Sequence, residues 1–144
     1  MSDENKNNLD NENEGPISPA AGKTILVADD ESHILHVVSL KLRNAGFRVV
    51  TARDGQEAFE MAQQEHPDLV ITDYHMPQLS GLELCRKLKQ DPATQNIPAI
   101  MLTARGYHLE PHDTEQSGIL RMLSKPFSPR HLLATVNEVL ASAA

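Results

Sequence analysis

Leu69–Pro77 reads LVITDYHMP. Four apolar or β-branched residues run straight into one acid, Asp73, and the chain then turns at a proline. A short unbroken apolar run predicts a strand buried on both faces, as in a parallel sheet. Such a strand has no packing reason to end in a carboxylate. In open α/β sheets, however, ligands and chemistry gather beyond the carboxyl ends of the strands. Asp73 is therefore the first candidate functional residue, and its meaning depends on what the other strand ends bring to the same rim.

Working outward, strand-like and helix-like segments alternate from Lys23 onward. Thr24–Ala28 (TILVA) predicts a strand, followed at once by Asp29, Asp30 and Glu31. Ser32–Ala45 spaces Ile34, Val38 and Leu42 four apart beside Leu35, one apolar helical face, and Gly46 stops it. Phe47–Thr51 predicts a second strand. Asp54 and Glu57 have capping-box spacing for a helix to about Glu65, ended by His66 and Pro67. Beyond the Asp73 strand, Ser80 and Glu83 repeat that spacing ahead of Leu84, Cys85 and Leu88, and Asp91–Pro92 closes the helix. Pro98–Thr103 predicts the fourth strand. Gly106 and Pro111 limit the next helix to about two turns beginning near Pro111. Leu120–Ser124 predicts the fifth strand. Ser128 and Pro129 then open a last helix lined by Leu132, Val136 and Leu140. Five strands joined by five helices require parallel pairing and right-handed crossovers, hence a doubly wound α/β sandwich around a five-stranded parallel sheet.

Bulk properties narrow the function classes. The 144 residues suit one domain with a sizeable core, preceded by a tail. Residues 1–22 are rich in Asn, Asp and Glu and nearly free of large apolar side chains, a composition that predicts disorder. Met1–Gly15 holds five acids and one base, net −4, which leaves −3 of the total −7 for the remainder. No basic stripe follows from this composition, which argues against nucleic-acid binding by this chain. No apolar run approaches the ~20 residues of a membrane span, and the N-terminus lacks a secretory layout. The single Cys85 excludes an internal disulfide, fits a reducing cytoplasm and reads as a buried structural thiol. No GxGxxG or Walker-type loop points to direct nucleotide use.

In a parallel sheet every carboxyl end faces one rim. There the first strand ends in Asp29–Asp30, the third in Asp73, the fourth in Thr103 and the fifth in Ser124–Lys125–Pro126. Taken singly, the acid pair would serve as a helix cap, Thr103 as a β-branched strand residue and Lys125 as a loop charge. Taken together, four of five strand ends carry a reactive group. Three carboxylates within a few ångströms repel one another, and protonation or a divalent cation relieves them. Hard oxygen ligands suit Mg²⁺, which binds one or two carboxylates together with waters and phosphate oxygens. One carboxylate left as nucleophile would form an aspartyl phosphate, with Lys125 and Thr103 stabilising its oxygens. The pattern is that of a phosphoryl-acceptor site.

From about Lys23 to Ala141 the chain resembles the receiver domain of two-component response regulators, a (βα)5 flavodoxin-like fold. The resemblance rests on Asp29–Asp30, Asp73 within TDYHMP, Thr103 within LTA and Lys125 within SKPF. It implies that Asp73 accepts a phosphoryl group from the phosphohistidine of a histidine kinase or histidine phosphotransfer protein. It also implies that Asp29, Asp30, Asp73 and the backbone carbonyl of His75 hold Mg²⁺. Lys125 would pair with the acceptor carboxylate or phosphate, and Thr103 would move to bond the phosphate. A cis Lys125–Pro126 bond belongs to the same pattern. The implied protein is a switch that supports its own phosphorylation and dephosphorylation rather than an enzyme acting on other substrates. Residues 23–144 would form this domain, cytoplasmic and without membrane or nucleic-acid contact, passing its signal to a protein effector.

Three positions depart from or modulate that pattern. Met122 stands where the family often carries an aromatic switch residue, and its flexible thioether is still able to swing inward. The short helix after Thr103 suggests signalling by local ordering of residues 105–118. His75 and Arg105 flank the site at positions that modulate autodephosphorylation in the family, and their bulk predicts a persistent phosphoryl group. His108 and His112, four apart around Pro111, read as surface residues rather than a metal pair, as do His33, His36 and His131. The leading expectation is a stand-alone receiver. Its rivals are a phosphate-independent adaptor with the same fold, a metal-dependent phosphatase using Asp73, and a fragment of a larger regulator or hybrid kinase.

Overall fold

The computed structural model describes residues 22–104 and 110–143. In chain order these form β1 (Thr24–Ala28), α1 (Ser32–Asn44), β2 (Arg48–Ala52), α2 (Gly55–Glu65), β3 (Leu69–Asp73), α3 (Gly81–Gln90), β4 (Ala99–Thr103), α4 (Pro111–Ser117), β5 (Ile119–Ser124) and α5 (Pro129–Ala143). The strands form one sheet in the order β2-β1-β3-β4-β5. Every pairing is parallel. Residues 1–21 of the predicted tail, Arg105 and His108 lie outside the described residues.

The strand sequences explain this arrangement. All five residues of β3 and of β4 are buried, because each of these strands is covered on both faces. Side chains of a strand alternate between faces, so β1 sends Ile25 and Val27 into a core with Leu35, Val38 and Leu42 of α1 and Leu132, Val136 and Val139 of α5. Leu26 and Ala28 enter the opposite core, against Ala58 and Ala62 of α2 and Leu84, Cys85 and Leu88 of α3. At about 25 cal/mol per Å² of apolar surface, these two layers supply most of the driving force for the fold. The topology then aims all five strand ends at the same rim.

Helix boundaries follow from caps. Ser80 and Glu83 form the full reciprocal capping box. Asp54 caps α2 by accepting the Glu57 N–H at 2.8 Å. The Glu57 carboxylate, however, accepts the Arg53 N–H at 2.7 Å, so the expected second half of that box is displaced by one residue. Gly46 (φ +102°) and His66 (φ +48°) take the left-handed conformation just past α1 and at the end of α2, as the sequence indicates. Ser128 accepts the His131 N–H at 2.9 Å and caps α5.

Four strand edges differ by one residue from expectation: the starts of β2, β4 and β5, and the end of β2, which lies at Ala52 rather than Thr51. β2 begins at Arg48 because the Phe47 N–H is spent on the Leu42 carbonyl. β4 begins at Ala99, since Pro98 has no N–H to enter the ladder. β5 begins at Ile119, with a register shift opposite Ala99 and Ile100.

Candidate phosphoryl-acceptor site

Asp29, Asp30 and Asp73 come together at the carboxyl rim, each offering a carboxylate oxygen within 4.8 Å of the others. Asp29 is fully buried and Asp73 is 6 % exposed, while Asp30 faces solvent. Lys125 reaches in from the end of β5. Its Nζ stands 3.1 Å from Asp73 Oδ1 and 3.3 Å from Asp29 Oδ2. The Lys125 backbone N–H donates to the Thr103 carbonyl at 2.7 Å, which ties the β5 end to the β4 end. The Lys125–Pro126 bond is cis.

Electrostatics follow from this crowding. Burial pushes the Asp29 and Asp73 carboxyls above the usual range. Neighbouring carboxylates add to the rise, whereas Lys125 opposes it at both and the Glu31 N–H opposes it at Asp29. Burial alone would lower the Lys125 ammonium, but hydrogen bonds to Glu31 and Asp73 and the charges of Asp29 and Asp73 raise it overall. One ammonium thus faces more negative charge than it neutralises, and two of the acids are shielded from water. Hard oxygen donors in this state fit a small divalent cation, which would lower the cost of keeping all three ionised.

Thr103 is 1 % exposed, and its Oγ1 has no hydrogen-bond partner among the described residues. A buried hydroxyl without a partner costs free energy. Thr103 lies at the end of β4, on the acidic rim, where a hydroxyl is able to donate to an oxygen ligand. His75 lies two residues past Asp73 with its side chain exposed, its ring edge-on to Tyr74 at 4.8 Å. Met122 is half-buried against the α2–α3 core and pairs in register with Met101. With Thr114, Ile119, Leu120 and Arg121 it lines a groove of about 300 Å³. His33, His36, His112 and His131 are exposed. Cys85 is buried, and burial pushes its thiol up to about 12.

Two residues gained no role from the sequence. Glu31 places Oε1 3.0 Å from Lys125 Nζ; its position directly after the acid pair was the available signal. Gly81 opens α3 against the end of β3. A Cβ there would sit 2.3 Å from the Asp73 carbonyl oxygen, and the Gly81 N–H donates to the Tyr74 carbonyl at 2.7 Å. No sequence pattern carries that contact.

The family model of the response regulator receiver domain matches residues 25–137. The chain belongs to this family. The phosphate regulon transcriptional regulatory protein PhoB of Pseudomonas aeruginosa is 40 % identical over 119 residues, covering 83 % of this chain and 52 % of that protein. The alkaline phosphatase synthesis transcriptional regulatory protein PhoP of Bacillus subtilis is 38 % identical over 118 residues, covering 82 % and 48 %. The chain spans about half the length of these curated relatives. Among solved structures, the chemotaxis response regulator CheY4 of Vibrio cholerae superposes with a TM-score of 0.75 at 33 % identity, covering 81 % of this chain and 98 % of that one. As a receiver of two-component signalling, the chain has the fold and family its strand ends indicated. Among the described residues, no helix of this receiver is long and apolar enough to cross a membrane.

Proposed function

We propose that Asp73 is the phosphoacceptor of a signalling switch, supplied by the phosphohistidine of a kinase or phosphotransfer protein. The observation that carries this reading is the convergence at one rim of a buried Asp73, the Lys125 ammonium 3.1 Å away and the Thr103 hydroxyl, which has no hydrogen-bond partner among the described residues. Asp29, Asp30, Asp73 and the His75 carbonyl would hold Mg²⁺, which when bound neutralises charge on the phosphoryl oxygens. An Asp73 carboxylate oxygen forms the new O–P bond as the donor N–P bond breaks, and the electron pair remains on the imidazole nitrogen. Lys125 exchanges part of its contact with Asp73 for a phosphoryl oxygen, and Thr103 donates its hydrogen bond to another. Phosphorylation adds about −1.5 to −2 charges beside three acids, so Thr103 and Lys125 have reason to move.

That rearrangement would alter the surface around β4, α4 and β5, where Leu120 is 45 % exposed, and bias the binding of a protein effector. Met122 beside this surface would adjust with it. His75, two residues past the acceptor with its side chain exposed, would crowd the water that hydrolyses the acyl phosphate and prolong the active state. The protein is on this reading a phosphoacceptor of the cell interior, not a turnover enzyme. Intact mass after incubation with acetyl phosphate tests the proposal. One added phosphoryl group that requires Mg²⁺ and is lost in Asp73→Asn is the expected result. No addition from acetyl phosphate or from a phosphohistidine donor would leave an adaptor that uses the fold without its chemistry.

A further inference from the structure

Glu31 has no part in the chemistry above, yet its setting departs from local rules. It occupies the N-cap of α1, where a side-chain oxygen ordinarily accepts a hydrogen bond from the free N–H groups of the first turn. Its side chain caps nothing, and the first turn of α1 contains no acid. The carboxylate instead turns across the rim to Lys125. At 3.0 Å this is the shortest of the ammonium's three ion pairs among the described residues. The Glu31 backbone N–H donates to Asp29 Oδ1 at 2.9 Å, so the same residue also orients a buried carboxylate. A local preference given up beside a reactive group is where a functional constraint is expected.

Lys125 divides its ammonium among Asp29, Asp73 and Glu31. The first two are buried and belong to the acidic cluster, whereas the Glu31 side chain is 60 % exposed. The ammonium carries three N–H donors and meets all three carboxylates at once, and Glu31 is the partner that draws it toward solvent. We propose that Glu31 is a positioning residue that holds the Lys125 ammonium toward the open rim, leaving Asp73 and Asp29 available to a divalent cation and to the phosphoryl donor. The inference rests on the phosphoacceptor reading. Glu31 acts through Lys125 and not through its own charge on the cation.

Glu31→Asp separates the roles. It keeps the charge, shortens the reach to Lys125 by one methylene and supplies a better helix cap. Calorimetric titration of Mg²⁺ into the full chain reads the effect without any phosphoryl donor. The expected result is binding by the native protein and a Kd weakened on the order of two- to fivefold in Glu31→Asp, the scale of an exposed ion pair. Its thermal midpoint should be equal or higher. In a Lys125→Met background the same substitution should leave Kd unchanged. An unchanged Kd in the single variant, or an equal weakening without Lys125, would overturn the inference. A native chain that binds no Mg²⁺ would overturn the phosphoacceptor reading itself, a result distinct from either.

Discussion

Gly81→Ala adds one methyl group at the point where α3 meets the acceptor strand. The new Cβ would lie 2.3 Å from the Asp73 carbonyl oxygen, 3.1 Å from its carbonyl carbon and 3.1 Å from Tyr74 Cα. The closest of these is roughly 1 Å or more short of ordinary van der Waals contact. All three obstacles are backbone, so no flexible side chain relieves them. Either the first turn of α3 lifts, against the Ser80–Glu83 capping box and the Gly81–Tyr74 hydrogen bond, or the end of β3 shifts and carries Asp73 with it. Overpacking of this kind costs about 1–3 kcal/mol. At roughly 3–6 °C per kcal/mol for a domain of this size, a loss of ~2 kcal/mol lowers the thermal midpoint by roughly 6–12 °C. A 1 Å misplacement of a reacting group slows chemistry by up to about 10²-fold. Thermal denaturation and the rate of acetyl phosphate labelling, followed by intact mass, read both effects. Gly118→Ala is the control. Gly118 has φ +70°, but an added methyl group there would meet no neighbour closer than 3.6 Å, so it should lose about 1–2 kcal/mol from backbone strain and keep its labelling rate. A Gly81→Ala protein with a native midpoint and native rate would refute the packing argument. A lowered midpoint with a native rate would refute the claim that Gly81 sets the position of Asp73.

Three further outcomes follow from the same geometry. α4 (PHDTEQS) has no large apolar side chain, and the half-buried Arg86–Asp113 ion pair joins it to α3; Asp113→Asn should raise amide exchange across residues 111–118 about tenfold, the factor that ~1.4 kcal/mol corresponds to, and equal protection would count against that role. The Cys85 thiol, pushed up to about 12 by burial, should react with a thiol reagent at pH 8 only as fast as the protein opens; prompt stoichiometric labelling of the native protein would contradict its burial. Asp29 and Asp73 hold their protons more tightly folded than unfolded, so their contribution is present below the unfolded value of 3.8 and is lost as pH rises through the raised folded values. Without Mg²⁺, the thermal midpoint of the native protein should therefore decline relative to Asp29→Asn as pH climbs from about 3.8, and Mg²⁺ at about ten times its Kd should restore about 1.4 kcal/mol; parallel pH profiles would show that these acids are not strained.

The architecture was legible in the chain because the cues for it are local. Apolar runs such as LVITD, capping residues such as Ser80 and Glu83, and stops such as Gly46 and His66 act within a few residues. Period and spacing are therefore enough to recover ten elements to within about one residue of their edges. The same reading placed Asp29, Asp30, Asp73, Thr103 and Lys125 at one rim, since parallel strands all deliver their carboxyl ends to the same side. Other features depend on distances between residues far apart in the chain, and these emerged only from the folded arrangement. Glu31 and Lys125 are separated by 94 positions, and nothing in either segment announces their contact. The second half of the Asp54 box went to Arg53, because a side chain answers to geometry finer than residue spacing. Gly81 is required by the backbone of β3 lying against it, and the Thr103 hydroxyl lacks a partner among the described residues because of what surrounds it in three dimensions. Patterning sets which face of each element is buried; the charge balance at the rim exists only once the five strand ends are brought together.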